Sequence, residues 1–229
     1  MNYSINRKPN RKTASINVFP DNSVSITVPD SLSEDEIEKV IKKKKPWILK
    51  KKALNNEVRK PAKDKEYVSG EAFSYLGRNY RLKVNYGEFY PVAYVDARLM
   101  VGVDRDATID IQNKHIKESL MVWYKSHALT KFKQRSKKYE ALLGVSPKAV
   151  KLGNLKSQWG SCHQDKTIVF NWKVIMAPMG IVDYVVAHEL CHLVYHDHSK
   201  DFWNLLGRVI PDYAERKDWL RINGGLLEV

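Results

Sequence analysis

The sequence predicts an α+β fold in which a β-rich N-terminal lobe, residues 1–112, precedes a helix-rich half, residues 113–229. Three observations carry that expectation. Period-two alternation of apolar and polar residues recurs through the first half. A long stretch of helical apolar spacing opens the second half, and a short, almost wholly apolar run with polar residues in its middle follows it.

In the first half, residues 14–18 and 23–28 alternate as half-buried strands do, and Asp21-Asn22 supplies turn chemistry for a hairpin. Ser33 followed by Glu36 forms a capping box, so a helix should begin there. That helix carries the lysines at 42–45 and 50–52, with Pro46 expected to break or restart it. Residues 55–65, charged and containing Pro61, read as a connecting loop. Two short strands are expected around Leu76-Gly77-Arg78, and residues 92–111 give further strand material punctuated by Asp96, Gly102 and Asp106.

In the second half, Ile116, Leu120, Trp123, Tyr124, Leu129 and Phe132 recur at helical spacing across residues 114–143, and Gly144 and Pro147 punctuate the end. This helix should pack on a small, mostly antiparallel sheet built from residues 149–152 and 167–172, with the loop 158–162 between them. After Pro178, residues 181–194 are apolar on most faces yet include Asp183, His188, Glu189 and His192. A buried helix must satisfy such groups, and a bound cation does so.

Composition narrows the function classes. Of 229 residues, 43% are apolar and 28% charged, the balance of a folded globular chain. The first twenty residues hold no apolar core of a signal peptide, and no later run reaches the roughly twenty apolar residues that a bilayer requires. Two cysteines, Cys162 and Cys191, make no disulfide framework. The expectation is a cytoplasmic protein with no membrane association. Basic residues exceed acidic ones, 39 to 26, for a net charge of +13. Residues 1–66 carry 16 basic and 9 acidic side chains, whereas residues 177–229 carry 5 and 8. The surplus therefore lies away from the histidines. The lysine run reads as a solvated helix face, with Trp47 and Ile48 anchored in the core, in preference to a nucleic-acid or nucleotide patch.

His188-Glu189-Leu190-Cys191-His192 is an H-E-x-x-H motif. On an α-helix, positions four apart are offset by only about 40°, so both imidazoles can reach one zinc ion. Glu189, about 100° round, can lean over an open coordination position and take a proton from water there. A catalytic zinc usually takes three protein ligands. His198 is favoured as the third if the chain turns at His196-Asp197, with His196, Asp201 and Glu215 as rivals. Ser199 can cap a following helix through Phe202, Trp203 and Leu206.

The chain resembles the YgjP-like metallopeptidases, relatives of the SprT-like and WLM zincins. The residues that carry the resemblance are Trp159-Gly160-Ser161-Cys162, Phe170-Asn171-Trp172, Ala177-Pro178, Asp183-Tyr184-Val185-Val186, the H-E-x-x-H segment, His198-Ser199-Lys200-Asp201-Phe202-Trp203 and Pro211-Asp212-Tyr213. Leu76-Gly77-Arg78 and Trp123-Tyr124 extend it upstream. The resemblance implies a zincin-like catalytic domain, with His188, His192 and His198 as zinc ligands and Glu189 as general base. The ligand spacing also matches metzincins, but Tyr195 stands where they have glycine. In zincins generally an edge strand binds extended substrate by strand addition, and residues 167–171 are the candidate here. Asn171 and Trp159 are candidate substrate contacts, and Tyr213 and Arg216 could reach an oxyanion. Asp183 could orient a ligand histidine or cap the helix. Neither cysteine is favoured as a zinc ligand: Cys191 reads as a small packing hydrophobe and Cys162 as a loop residue. The expected activity is hydrolysis of a peptide or protein substrate. Its rivals are metal-dependent pyrophosphohydrolysis of a nucleoside triphosphate and a SprT-like protease associated with nucleic acid through the basic N-terminal half.

Overall fold

The computed structural model describes residues 2–9, 11–19, 21–58, 64–155 and 157–229, and Pro61 of the expected loop lies outside them. Contacts divide the chain into two compact units, 1–58 and 59–229.

In the first unit, β1 (Ser4–Lys8), β2 (Ser15–Val18) and β3 (Val24–Pro29) precede helix α1 (Glu34–Asn56). The sheet order is β1-β3-β2, with β3 parallel to β1 and antiparallel to β2. The β2–β3 hairpin turns where the sequence expected, with Asn22 at φ 66° and the Asp21 carboxylate accepting the Ser23 amide at 3.0 Å. The capping box of α1 forms in both directions: the Ser33 amide donates to Glu36 at 2.9 Å, and the Glu36 amide to the Ser33 hydroxyl at 3.3 Å. Ile26, Val28, Ile37 and Ile41 make this unit's core. Two expectations fail on α1. The helix runs straight through Pro46. The carbonyl that proline leaves without an amide belongs to exposed Lys42, where water can serve it. Trp47 is 41% exposed while Ile48 is fully buried, because adjacent helical residues stand about 100° apart and only one can face the stripe of Ile37 and Ile41.

The second unit begins with β4 (Ala72–Tyr75), β5 (Arg78–Gly87), β6 (Tyr90–Val95) and β7 (Arg98–Asp104), in the order β4-β5-β7-β6. Helix α2 (Ile109–Leu143) follows and stops at Gly144, whose φ of 68° is the left-handed cap that glycine adopts without strain. The division expected at residue 112 is not where the chain divides, because Gln112 lies inside α2 and the sheet 72–104 shares one core with the later helices. Phe73, Leu82, Leu99 and Val101 belong to the same buried cluster as Phe132, Phe170 and Val186. The β4–β5 turn also docks on the second half: the amides of Leu76 and Gly77 donate to the carbonyls of Ile175 (2.8 Å) and Met176 (3.2 Å). A Cβ on Gly77 would stand 2.8 Å from the Pro178 Cα, so only glycine fits that approach.

A second sheet consists of β8 (Ala149–Gly153), β9 (Gly160–Cys162) and β10 (Thr167–Asn171) in the order β8-β10-β9. It is mixed rather than mostly antiparallel, because the chain passes through β9 before inserting β10 parallel to β8. Residues 167–171 are therefore the central strand, hydrogen-bonded on both sides, and β9 is an edge. A 3₁₀ turn over Trp172–Met176 leads into α3 (Met179–Cys191), followed by α4 (Lys200–Val209) and α5 (Tyr213–Asn223). Helix α3 has no side-chain N-cap and is buried on nearly every face. It is tied to α2 by the Arg135 guanidinium, which donates to both oxygens of Asp183 at 2.5 and 2.7 Å. Asp183 therefore neither caps the helix nor orients a histidine. Among the described residues no helix is long and apolar enough to cross a membrane.

Candidate metal centre

The last turn of α3 carries His188 and Glu189, and His192 stands at its C-cap. The chain then reverses through turns closed by the amides of Leu193, Val194 and Tyr195 on the carbonyls of Leu190 and Cys191. The Asp197 carboxylate accepts the Ser199 amide at 3.2 Å, which starts α4 although the Ser199 hydroxyl makes no cap of its own. This reversal folds His198 back over the helix.

The three imidazoles of His188, His192 and His198 converge, each offering one nitrogen within 4.8 Å of the others. Nε2 of His188 and Nε2 of His198 are 3.0 Å apart, close to the spacing of about 3.3 Å for two nitrogens on one tetrahedral zinc. Nδ1 of His192 faces the Tyr195 carbonyl at 2.9 Å. A carbonyl only accepts, so Nδ1 carries the proton and Nε2 is left as a lone pair. Phe202, fully buried, lies among all three rings at centroid distances of 4.6–4.9 Å. Burial, then the neighbouring His192 and His198 rings, push His188 down to about 3, and burial also lowers His192. Those two rings are thus held as neutral imidazoles, the form that binds a metal. These donors fit a zinc ion. His196 is not part of the convergent group, and neither are Asp201 and Glu215.

Glu189 is 6% exposed, and burial pushes its carboxyl up to about 8. Gly160, the first residue of β9, presses on it. A Cβ there would lie 2.5 Å from the Glu189 Cγ and 2.6 Å from Oε1, so no side chain fits without moving the carboxylate. A cleft of about 510 Å³ opens between the 158–162 segment and α3, with α5 as its far wall.

Other sequence candidates part company here. Trp159 lines the cleft and packs against Gly224. Asn171 does not, being 4% exposed and fully committed: its amide donates to the carbonyls of Leu155 (2.9 Å) and Gln158 (3.3 Å), and its oxygen accepts the Lys173 amide at 3.1 Å. It shapes the loop that leads to Trp159. Arg216 binds Asp212 (2.9 Å) and the Gly180 carbonyl (2.8 Å), and Tyr213 stacks on Trp203 at 5.1 Å, so neither faces the cleft. The cations on that wall are Lys217 and Arg221, which sequence reading passed over. Tyr184, part of the family-like run 183–186 but not among the expected site residues, lines the cleft, and burial pushes its hydroxyl up to about 12. Cys162 is at the cleft, and Cys191 is buried in the core as expected. The lysine run lies on α1 in the first unit, whereas every cleft residue belongs to the second.

The family model described as the YgjP-like metallopeptidase domain matches residues 12–223. Among solved structures, the chain is similar to the metallopeptidase zymogen abylysin of Pyrococcus abyssi. Identity is 23% and the TM-score 0.37, over 39% of this chain and 90% of that one. No curated protein matches the chain.

Proposed function

We propose that this chain, which belongs to the YgjP-like metallopeptidase family, hydrolyses peptide bonds with a zinc ion held by His188, His192 and His198 and with Glu189 as general base. The observation that carries the reading is the convergence of three imidazoles beside a buried carboxylate at the floor of an open cleft. Zinc held there would supply Lewis acidity, polarising a substrate carbonyl and lowering the pKa of a water to about 7. Glu189, which has room beside β9 because residue 160 is glycine, would receive the proton of the attacking water and pass it to the leaving amine. A carboxyl raised by burial suits that exchange near neutral pH, and a cation beside it would draw its pKa back down. The free edge of β9 supports strand addition of an extended peptide along Gly160–Cys162, a role that central β10 has no edge to fill.

Metal analysis with an unbiased peptide-library cleavage assay tests this reading. One zinc per chain, and in Glu189→Gln cleavage lowered at least about 100-fold with zinc retained, are the expected results. A second reading, hydrolysis of a nucleoside triphosphate, is favoured by Lys217 and Arg221 on the cleft wall. Phosphate release from nucleoside triphosphates by a zinc-loaded protein inert toward every peptide would put it first.

A further inference from the structure

We propose that Lys217 forms an anion-binding subsite of the cleft, so that the ligand carries a negatively charged group, a carboxylate or a phosphate, beside the three histidines. The inference rests on the hydrolase reading above and adds the charge of what enters. Lys217 lines the cleft and, among the described residues, pairs with no carboxylate. Its two cationic neighbours on α5 are engaged: Arg216 by Asp212 and Gly180, and Arg221 by Asp218 at 2.8 Å.

Lys217 is also held in position. Its ammonium lies 4.5 Å from the centroid of the Trp203 ring. Trp203 in turn stacks on His198 at 5.4 Å and 23° and on Tyr213 at 5.1 Å and 19°. One aromatic ring thus joins the cation to a histidine of the convergent group, fixing the distance between them. A lysine restrained in this way loses less freedom on meeting a partner than a free surface lysine does. General basicity does not explain it, because residues 177–229 carry 8 acidic side chains and only 5 basic ones. Among the described residues Glu189 is the one carboxylate lining the cleft, and it is buried. With a divalent ion on the histidines the cleft would be strongly positive, which attracts anions and repels cationic side chains.

The test is binding. Full-length, zinc-loaded Glu189→Gln protein, in which turnover is blocked, is titrated calorimetrically with pentapeptide pairs that differ by Asp or Asn at one position, and with inorganic pyrophosphate. The Asp form or pyrophosphate should bind at least about tenfold tighter than the neutral peptide. Adding Lys217→Glu should remove that preference, Lys217→Arg should keep it, and zinc content should be unchanged in both. A preference confined to the acidic peptide assigns the anion to a substrate carboxylate, and one confined to pyrophosphate assigns it to phosphate. Equal binding of Asp and Asn peptides with no pyrophosphate affinity, or a preference unaltered by Lys217→Glu, overturns the subsite. Turnover by the wild-type protein separates the two claims. Peptides cleaved without regard to charge would sink the subsite and leave the peptidase standing. Lys217-dependent pyrophosphate binding with no peptide cleaved would do the reverse.

Discussion

Helices α1 and α3 place polar residues in opposite surroundings. Helix α1 announces itself locally, with a reciprocal capping box, three acidic residues in its first turn and exposed lysines along its length. Helix α3 has no cap, is enclosed by the core and carries its charged groups inward. A lysine in water is already satisfied, whereas a buried histidine or carboxylate must find a partner or lose its charge. The few polar groups that burial constrains, rather than the exposed lysines of α1, mark the candidate site.

The largest losses are expected on removing a partner on which α3 depends. Substitution His198→Ala should weaken zinc binding on the order of 100-fold or more, while His196→Ala should leave it intact, as read by zinc content after competition with a chelator. Equal loss in both would move the third ligand. Next in size is Glu189→Gln, expected to lower kcat by about 10² to 10⁴ with zinc retained. Unchanged turnover would remove the carboxylate from the chemistry. Gly160→Ala tests whether the carboxylate must be held still. Its new methyl overlaps Glu189, so kcat should fall by about 10 to 100-fold at constant zinc content.

Smaller effects sharpen the contrast in stability. Arg135→Ala leaves the Asp183 carboxylate without its two donors, 12% exposed in its side chain, and should destabilise the second unit by about 2–3 kcal/mol in chemical denaturation. On α1, Ser33→Ala removes one exposed cap and should cost about 1 kcal/mol, with zinc content and turnover as in the wild type. A loss of comparable size at both positions would contradict the difference drawn between the helices.

The adjacency of His188 and His192 was readable because both sit on one helix, where a fixed 3.6-residue period sets their offset. The start of α1 and the β2–β3 hairpin were readable for the same reason, since caps and turns act over three or four residues. The convergence of His198 was harder, because its position depends on a reversal across six residues, and spacing alone left His196 as a rival. Arg216 and Lys217 are neighbours about 100° apart on α5, and which one faces the cleft is set by how that helix packs on Gly180 and Trp203. Strand order in the second sheet was out of reach as well. The residues of β10 have the composition of either an edge or a centre, and pairing with β8 and β9 decides between them.

By itself the sequence determined the helix that carries the motif, the ligand chemistry that the motif offers, the α+β class and the family. All of these are written in short-range periodicity or in residue identity. Tertiary structure alone decided that the chain divides near residue 58 rather than 112, that β9 and not β10 is an edge strand, that Glu189 lies where a side chain at Gly160 would stand and that Lys217 lines the cleft. Each of these depends on which surfaces meet across tens of residues, and burial and pairing energies at such separations leave no fixed spacing in the chain.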